Sequence, residues 1–287
     1  MIIDGRKLAS QKEKLLLKSC RKLLKKNIIP HCVTFVARED PEGNFYTQTK
    51  TKVCERVGVK LTKKTFSFKD KTDKLRKEII ATSYNPKVNA IMIQKPSQQI
   101  INGIFDKGLF SKYWSELTGC ISPVKDIDCL SPVSLGRIMQ GQFNFLPATV
   151  AAIWDILDET TNSVAGKNIT VLGFSEIIGK PLSIMLRDRG ATVILVGSRT
   201  KNLKQFTNIS DIIISCVGKP KLITEDMVKP GSVIIDAGTK KIGQSLYGDA
   251  DFENLVSKVK AITPVPGGVG PLTVINLVAN IISSCQK

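Results

Sequence analysis

Tyr46 and Lys50 stand one helical turn apart in the stretch Gly43-Asn-Phe-Tyr46-Thr-Gln-Thr-Lys50-Thr-Lys52-Val53-Cys54-Glu-Arg-Val57. At helical spacing Tyr46, Lys50, Val53 and Val57 share a face, so Lys50 sits on an apolar stripe while Lys52 points away. A lysine in that place either snorkels along its aliphatic stem or is functional. Partial desolvation would lower its pKa from about 10.4 toward about 7 to 8, the range a proton shuttle needs. The chain has a single histidine, His31, so another residue type must move protons if the protein is an enzyme. Two more polar spots interrupt buried-looking sequence: Gln94, which ends Ala90-Ile-Met-Ile93, and Lys125-Asp126-Ile127-Asp128, which follows a Ser-Pro turn. Taken singly, each reads as a strand end or a surface loop.

The segment Ile169-Thr-Val-Leu-Gly173-Phe174-Ser175-Glu-Ile-Ile-Gly179-Lys180-Pro181 is a strand, a glycine turn and a helix start. Backbone N–H groups and the helix dipole converge at such a place and suit a pyrophosphate. The spacing is G-x-S-x-x-x-G rather than G-x-G-x-x-G, so an ordinary β-α turn competes with that reading. A Walker A loop is excluded, because Pro181 stands where Ser or Thr would hold magnesium. The next strand ends Val196-Gly197-Ser198-Arg199-Thr200 without an acid, which favours the 2′-phosphate of NADP over the 2′-hydroxyl of NAD. A plain turn with an exposed arginine is the rival reading. Gly218 and the pair Gly238-Thr239 close later strands at the same carboxyl edge. In Thr263-Pro-Val-Pro266-Gly267-Gly268-Val269-Gly270-Pro-Leu-Thr273, prolines and glycines form a rigid backbone wall before an apolar helix.

The elements that must position these residues follow from hydrophobic periodicity. Near-continuous Val/Ile runs at 168–173, 191–196, 211–217, 232–237 and 260–265 read as parallel strands buried on both faces. This later half is expected to be a doubly wound, Rossmann-type sheet. The earlier half alternates strands at 32–37, 59–66 and 88–94 with helices at 5–27, 43–57 and about 70–84. The expected fold is therefore α/β in two domains, 1–150 and 151–270, with the boundary near 147–165. A last apolar helix, 271–285, is expected to cross back to the first domain.

With 287 residues, 42% of them hydrophobic and 23% charged, the composition is that of a globular protein and excludes disorder, collagen and coiled coil. Apolar runs such as 274–282 are about half of the roughly 20 residues a membrane span needs. No apolar signal segment opens the chain, and the seven cysteines lack any C-x-x-C spacing, which together predict reduced thiols in the cytoplasm. One histidine excludes Cys2His2 zinc sites and H-E-x-x-H metalloproteases. The net charge of +17 allows a nucleic-acid partner, but the lysines are scattered and no recognition motif accompanies them. Attraction of anionic metabolites is the expected consequence.

Taken together, Ile-Ile-Asp-Gly near the start, Tyr46-x-x-x-Lys50, Gln94-x-Pro96, Lys125-Asp-Ile-Asp128, Gly173-x-Ser175, Gly248-Asp249 and Thr-Pro-Val-Pro-Gly-Gly-Val-Gly-Pro resemble the bifunctional methylenetetrahydrofolate dehydrogenase/cyclohydrolase family along essentially the whole chain. The resemblance implies NADP-dependent oxidation of 5,10-methylenetetrahydrofolate to 5,10-methenyltetrahydrofolate, then hydrolysis to 10-formyltetrahydrofolate. It also implies a homodimer with folate in an interdomain cleft; hydride transfer needs orientation rather than a metal, and the scattered lysines and short apolar runs argue against nucleic-acid and membrane partners. By the same resemblance Lys50 is the general acid/base of the hydrolysis and Gln94 its hydrogen-bonding partner. Tyr46 stacks on the aminobenzoate and Asp128 anchors the pterin. Ile93, Lys95, Pro266, Gly267, Gly268, Val269 and Gly270 line the folate site. Gly173, Phe174, Ser175, Ser198, Arg199, Gly218 and Thr239 take the dinucleotide positions.

The chain departs from the family pattern at several of these places. Phe174 replaces an arginine that would clamp the 2′-phosphate, and an apolar ring cannot make that contact. NAD use is therefore expected alongside NADP, with Ser198 and Arg199 the remaining phosphate partners. The serine usual three residues before the tyrosine is Gly43, the usual leucine after the glutamine is Lys95, and the glycine after the second aspartate is Cys129. Two rivals to the bifunctional enzyme are a monofunctional cyclohydrolase with an impaired dehydrogenase site and a non-catalytic basic protein that binds RNA or other polyanions.

Overall fold

The strands and helices anticipated above all form in the computed structural model, which describes residues 1–106 and 108–286. In chain order the helices are α1 (Gly5–Leu24), α2 (Pro41–Val57), α3 (Thr72–Tyr84), α4 (Gln98–Ile104), α5 (Leu109–Thr118), α6 (Pro132–Met139), α7 (Ala148–Thr160), α8 (Gly179–Asp188), α9 (Leu203–Thr207), α10 (Phe252–Leu255) and α11 (Val269–Ser283). The strands are β1 (His31–Ala37), β2 (Lys60–Phe66), β3 (Ala90–Ile93), β4 (Asn168–Leu172), β5 (Thr192–Val196), β6 (Ile212–Ser215), β7 (Val233–Asp236), β8 (Lys240–Ile242), β9 (Ser245–Tyr247) and β10 (Ala261–Ile262). The chain divides into two compact units: Lys12–Pro147 with Leu277–Lys287, and Met1–Gln11 with Ala148–Asn276.

In the unit of Lys12–Pro147, three parallel strands run in the order β2-β1-β3. Strand β1 is central, and Cys32 through Ala37 are all buried. Strand β2 carries Lys60, Lys63 and Lys64, and such charge on an edge strand discourages pairing with another chain. A parallel bridge between Ile91 and Asp126 continues the sheet past β3. Within this unit Asn280 Nδ2 donates to the carbonyls of Ile127 and Leu146, each at 2.8 Å, which ties the C-terminal segment to the turn that bears Asp128.

In the unit of Ala148–Asn276, five parallel strands run in the order β10-β7-β6-β4-β5. The chain passes outward from β4 to β5, then crosses to β6 on the other side of β4. The order therefore reverses between β4 and β6, the place where open α/β sheets take their ligands. Ile213, Ile234, Ile262 and Leu255 form the buried centre of one face.

Several boundaries differ from expectation for identifiable reasons. The first residues belong with the later segment rather than with 12–147, because Ile2 bridges Ile262 and Ile3 N–H donates to the Ile262 carbonyl at 2.9 Å. Of the run 260–265 only Ala261–Ile262 is strand, since Pro264 and Pro266 have no N–H for a ladder. The last helix begins at Val269 rather than 271, because a proline in a first helical turn forfeits no intrahelical bond. The hairpin of β8 and β9 was not anticipated. No helix among the described residues is long and apolar enough to cross a membrane.

Candidate functional site

Helix α2 starts with Pro41 in its first turn and ends at Gly58, whose left-handed φ of 89° lets its N–H reach the Cys54 carbonyl. Its buried residues are Gly43, Thr47, Val53, Cys54 and Val57, so the stripe is rotated slightly from the expected one. Tyr46 and Lys50 lie along the edge of that stripe, each half-buried. The Lys50 ammonium turns inward: Nζ donates to Gln94 Oε1 at 2.9 Å and lies 3.4 Å from Met92 Sδ. Burial is the largest influence on it and holds its pKa below the ordinary lysine value, while Asp128, Cys32 and Cys54 act in the opposite direction. This geometry favours the functional reading of Lys50 over snorkelling.

Gln94 is fixed on the other side of the pair. Its N–H donates to the Phe35 carbonyl at 2.8 Å and its Nε2 to the Lys95 carbonyl at 3.3 Å, which leaves Oε1 to accept from Lys50. Gly43 of α2 also lies close to this glutamine. A Cβ there would sit 2.4 Å from Asp40 Oδ2 and 3.1 Å from Gln94 Cγ. The missing side chain at 43 thus has a steric reason beside a buried Asp40, whose Oδ2 accepts the Ser97 N–H at 3.3 Å.

The structure brings Lys50, Gln94 and Asp128 into one cluster. Tyr46 lies one turn before Lys50 with its ring edge-on to Phe45, centroids 6.2 Å apart. Ile93 is buried in β3, and Lys95 is half-buried and contributes its carbonyl. Sequence reasoning missed Met92, Cys32 and Cys54 as neighbours of Lys50. Cys54 could have been found by its i+4 spacing, whereas Cys32 reaches the cluster only through the register in which it pairs with Ala90. Burial pushes the Cys54 thiol up to about 12 and the Cys32 thiol up as well, so neither is a ready nucleophile.

In the other unit, Gly173 closes β4 with φ +109°, and a Cβ there would meet Cys216 Sγ at 2.8 Å. A Cβ on Gly179 would meet the Gly173 carbonyl at 2.0 Å, so both positions accept only bare backbone. Ser175 Oγ accepts the N–H groups of Ile178 and Gly179 at 3.2 and 3.3 Å, which closes the turn that leads into α8. A tight glycine turn at a helix start, set at the β4/β6 reversal, fits a dinucleotide pyrophosphate. Phe174 is 60% exposed, with Lys180 Nζ 5.0 Å above its ring and 3.7 Å from Glu176. Ser198 and Arg199 are exposed at the end of β5. Gly218 and Thr239 approach each other, since a Cβ on Gly218 would lie 3.2 Å from the Thr239 carbonyl.

The proline–glycine wall lies in this unit too. Gly5 packs so closely on Gly268 that a Cβ would fall 1.8 Å from the Gly268 carbonyl. Gly267 has φ +118°, with Arg6 Nε 3.4 Å from its Cβ position. Val269 is buried, Pro266 and Gly270 are exposed, and the Val265–Pro266 peptide is cis.

Residues 3–128 match the family model for the tetrahydrofolate dehydrogenase/cyclohydrolase catalytic domain, and residues 147–287 match that for its NAD(P)-binding domain. The chain is 38% identical to the bifunctional protein FolD 2 of Lactobacillus johnsonii over 286 residues, covering 100% of this chain and 98% of that one. Among solved structures it is similar to the bifunctional methylenetetrahydrofolate dehydrogenase/cyclohydrolase FolD of Campylobacter jejuni, with TM-score 0.91 at 29% identity over 100% and 98% of the two chains. It is also similar to the Trypanosoma brucei enzyme complexed with NADP cofactor and inhibitor, with TM-score 0.89 at 28% identity over 100% and 97%. With both of its halves matched in order, the chain belongs to the tetrahydrofolate dehydrogenase/cyclohydrolase family.

Proposed function

We propose that this chain oxidises 5,10-methylenetetrahydrofolate and then hydrolyses the 5,10-methenyl product to 10-formyltetrahydrofolate. The observation that carries the reading is the Lys50 Nζ to Gln94 Oε1 bond of 2.9 Å on an ammonium whose pKa burial lowers. In the hydrolysis, the neutral amine of Lys50 takes a proton from water as its oxygen adds to the methenyl carbon. The tetrahedral carbon then forms its carbonyl as the hydroxyl proton leaves to water, its bond to N5 breaks, and Lys50 returns the first proton to that nitrogen so that the formyl group stays on N10. Gln94 fixes the amine's direction. Asp128 anchors the pterin and at the same time limits how far the lysine pKa falls. Tyr46 stacks on the aminobenzoate, and Ile93 and Lys95 line the folate site.

For the oxidation, the bound dinucleotide supplies the hydride acceptor. The backbone of Gly173, Phe174 and Ser175 would hold its pyrophosphate, Ser198 and Arg199 its adenosine ribose, and Gly218 and Thr239 its nicotinamide end. We propose NADP as the cofactor, with Lys180 and Arg199 supplying the positive charge that Phe174 cannot, and NAD as a usable second. The remaining proposals are a metal-free cytoplasmic homodimer, a folate-binding role for the earlier unit, and no nucleic-acid or membrane partner.

The test is Lys50→Met, which removes the amine and keeps the stem. The rate of methenyltetrahydrofolate hydrolysis is expected to fall at least about 100-fold with an unchanged circular dichroism spectrum. A normal hydrolysis rate in that variant would remove Lys50 from the mechanism.

A further inference from the structure

Asp249 and Asp236 are two buried carboxylates with 0% and 2% exposure at the carboxyl edge of the sheet. Asp249 Oδ2 accepts from Ser215 Oγ at 2.5 Å and from Val217 N–H at 2.8 Å, and its Oδ1 accepts from Lys219 N–H at 2.6 Å. It therefore grips the backbone on both sides of Gly218. Asp236 Oδ1 accepts from Gly238 N–H at 3.0 Å and Oδ2 from Ala250 N–H at 2.8 Å, so it fixes the residue before Thr239 and the residue after Asp249.

The two carboxylates are also locked sterically. A Cβ on Gly238 would fall between 2.1 and 2.3 Å from the Asp249 carboxylate, and one on Gly248 would fall 2.2 Å from Asp236 Oδ2. Each aspartate thus packs on a bare glycine backbone beside the other's segment. Buried carboxylates are ordinarily offset by cations. Here, among the described residues, every hydrogen-bond donor to the pair is a backbone N–H or a hydroxyl. Among the described residues, nothing accepts the N–H of Gly218 or of Thr239, while their neighbours' N–H groups are consumed by the two aspartates. Those two donors stand where the half of a dinucleotide beyond the β4/β6 reversal lies in a doubly wound sheet.

We propose that Asp249, with Asp236 beside it, is a positioning residue of the dehydrogenase site, shaping the loops of Gly218 and Thr239 so that their free N–H groups meet the nicotinamide end of the dinucleotide. The inference rests on the dinucleotide assignment above. Gly238 and Gly248 are part of the device, because any side chain at either would displace a carboxylate.

Titration of the full-length protein with NADP and with NAD, followed by intrinsic fluorescence or calorimetry, tests the proposal in Asp249→Asn and Ser215→Ala. An amide at 249 turns a donor toward one of the N–H groups now accepted, and the alanine at 215 removes a single bond. Dissociation constants are expected to rise at least about tenfold for the first variant and about threefold for the second. In both, the KM for the dinucleotide should rise more than kcat falls. Hydrolysis of supplied methenyltetrahydrofolate should stay within about twofold of the parent protein. Parent-like affinity in both variants overturns the proposal, and so does an equal loss of hydrolysis, because the carboxylate would then serve the whole fold. If the parent protein itself binds neither dinucleotide, it is the underlying assignment that fails.

Discussion

Lys50 and Gln94 are 44 residues apart in sequence, and their side chains meet at 2.9 Å. The meeting depends on two layers: α2 carries the lysine, while the parallel pairing of β1 with β3 sets Phe35 opposite Ile93 and so fixes Gln94 just beyond the strand end. A single hydrogen bond in water contributes little, but one that orients a desolvated ammonium decides in which direction its proton is offered.

Asp128 raises the pKa that burial lowers on Lys50. Asp128→Asn removes the opposing charge, so the lysine pKa should fall further. The acid limb of the kcat profile for hydrolysis then moves to lower pH, while the KM for folate rises through loss of the pterin anchor. A pH series on purified variant and parent checks this; a limb that stays put or moves upward would separate Asp128 from Lys50 electrostatically.

Gly43→Ala sets two effects against each other. Alanine gains about 1 kcal/mol of helix propensity over glycine, but its Cβ would sit 2.4 Å from a buried Asp40 oxygen and 3.1 Å from Gln94 Cγ. Overpacking of that kind costs about 1 to 3 kcal/mol, so the contact wins. Urea unfolding should show a net loss of about 1 kcal/mol, and hydrolysis should slow about tenfold as Gln94 is displaced. A parent-like hydrolysis rate would mean that Gln94 tolerates the shift.

Phe174→Arg places a guanidinium at the exposed nucleotide turn, where Lys180 Nζ lies 5.0 Å from the ring centroid. A charge-assisted bond to a 2′-phosphate is stronger than a neutral one. The ratio of NAD to NADP dissociation constants should rise about tenfold. An unchanged ratio would place the phosphate away from residue 174.

Asp236 has its carboxyl pushed up to about 6, chiefly by burial, with Asp249 adding to the effect. A raised folded-state pKa means that the stability linked to this group is fully present below the unfolded value near 3.8 and is lost as pH rises through about 6. Over that window the loss amounts to roughly 2 to 3 kcal/mol. Asp236→Asn should remove this component, so the difference in unfolding free energy between parent and variant should change between pH 4.5 and pH 7. An identical pH slope in the two proteins would show that Asp236 does not titrate there.

Much of this protein is determined by local sequence. The Val/Ile runs that become β4, β6 and β7 have every strand residue buried on both faces except Asn168, so continuous apolarity specified them without tertiary help. The glycine turn at Gly173 and the helix bearing Tyr46 and Lys50 are equally local, because they follow from backbone freedom and from a period of 3.6. The full-length motif pattern carried the family and the residues Lys50, Gln94 and Asp128. What only the tertiary structure decided are relations between distant segments. Strand register sets Cys32 and Met92 beside Lys50. Close approach of α2 to Gln94 explains the bare Gly43. Ile2 joins the later sheet although it opens the chain, because an edge beside Ile262 was left to pair. Asp249 enters the sequence reading only within the Gly248-Asp249 motif and Asp236 only within the run 232–237, and only burial against Gly238 and Gly248 makes them a carboxylate pair. Spacing along a chain encodes which face a residue occupies, whereas the partner across that face is chosen by packing.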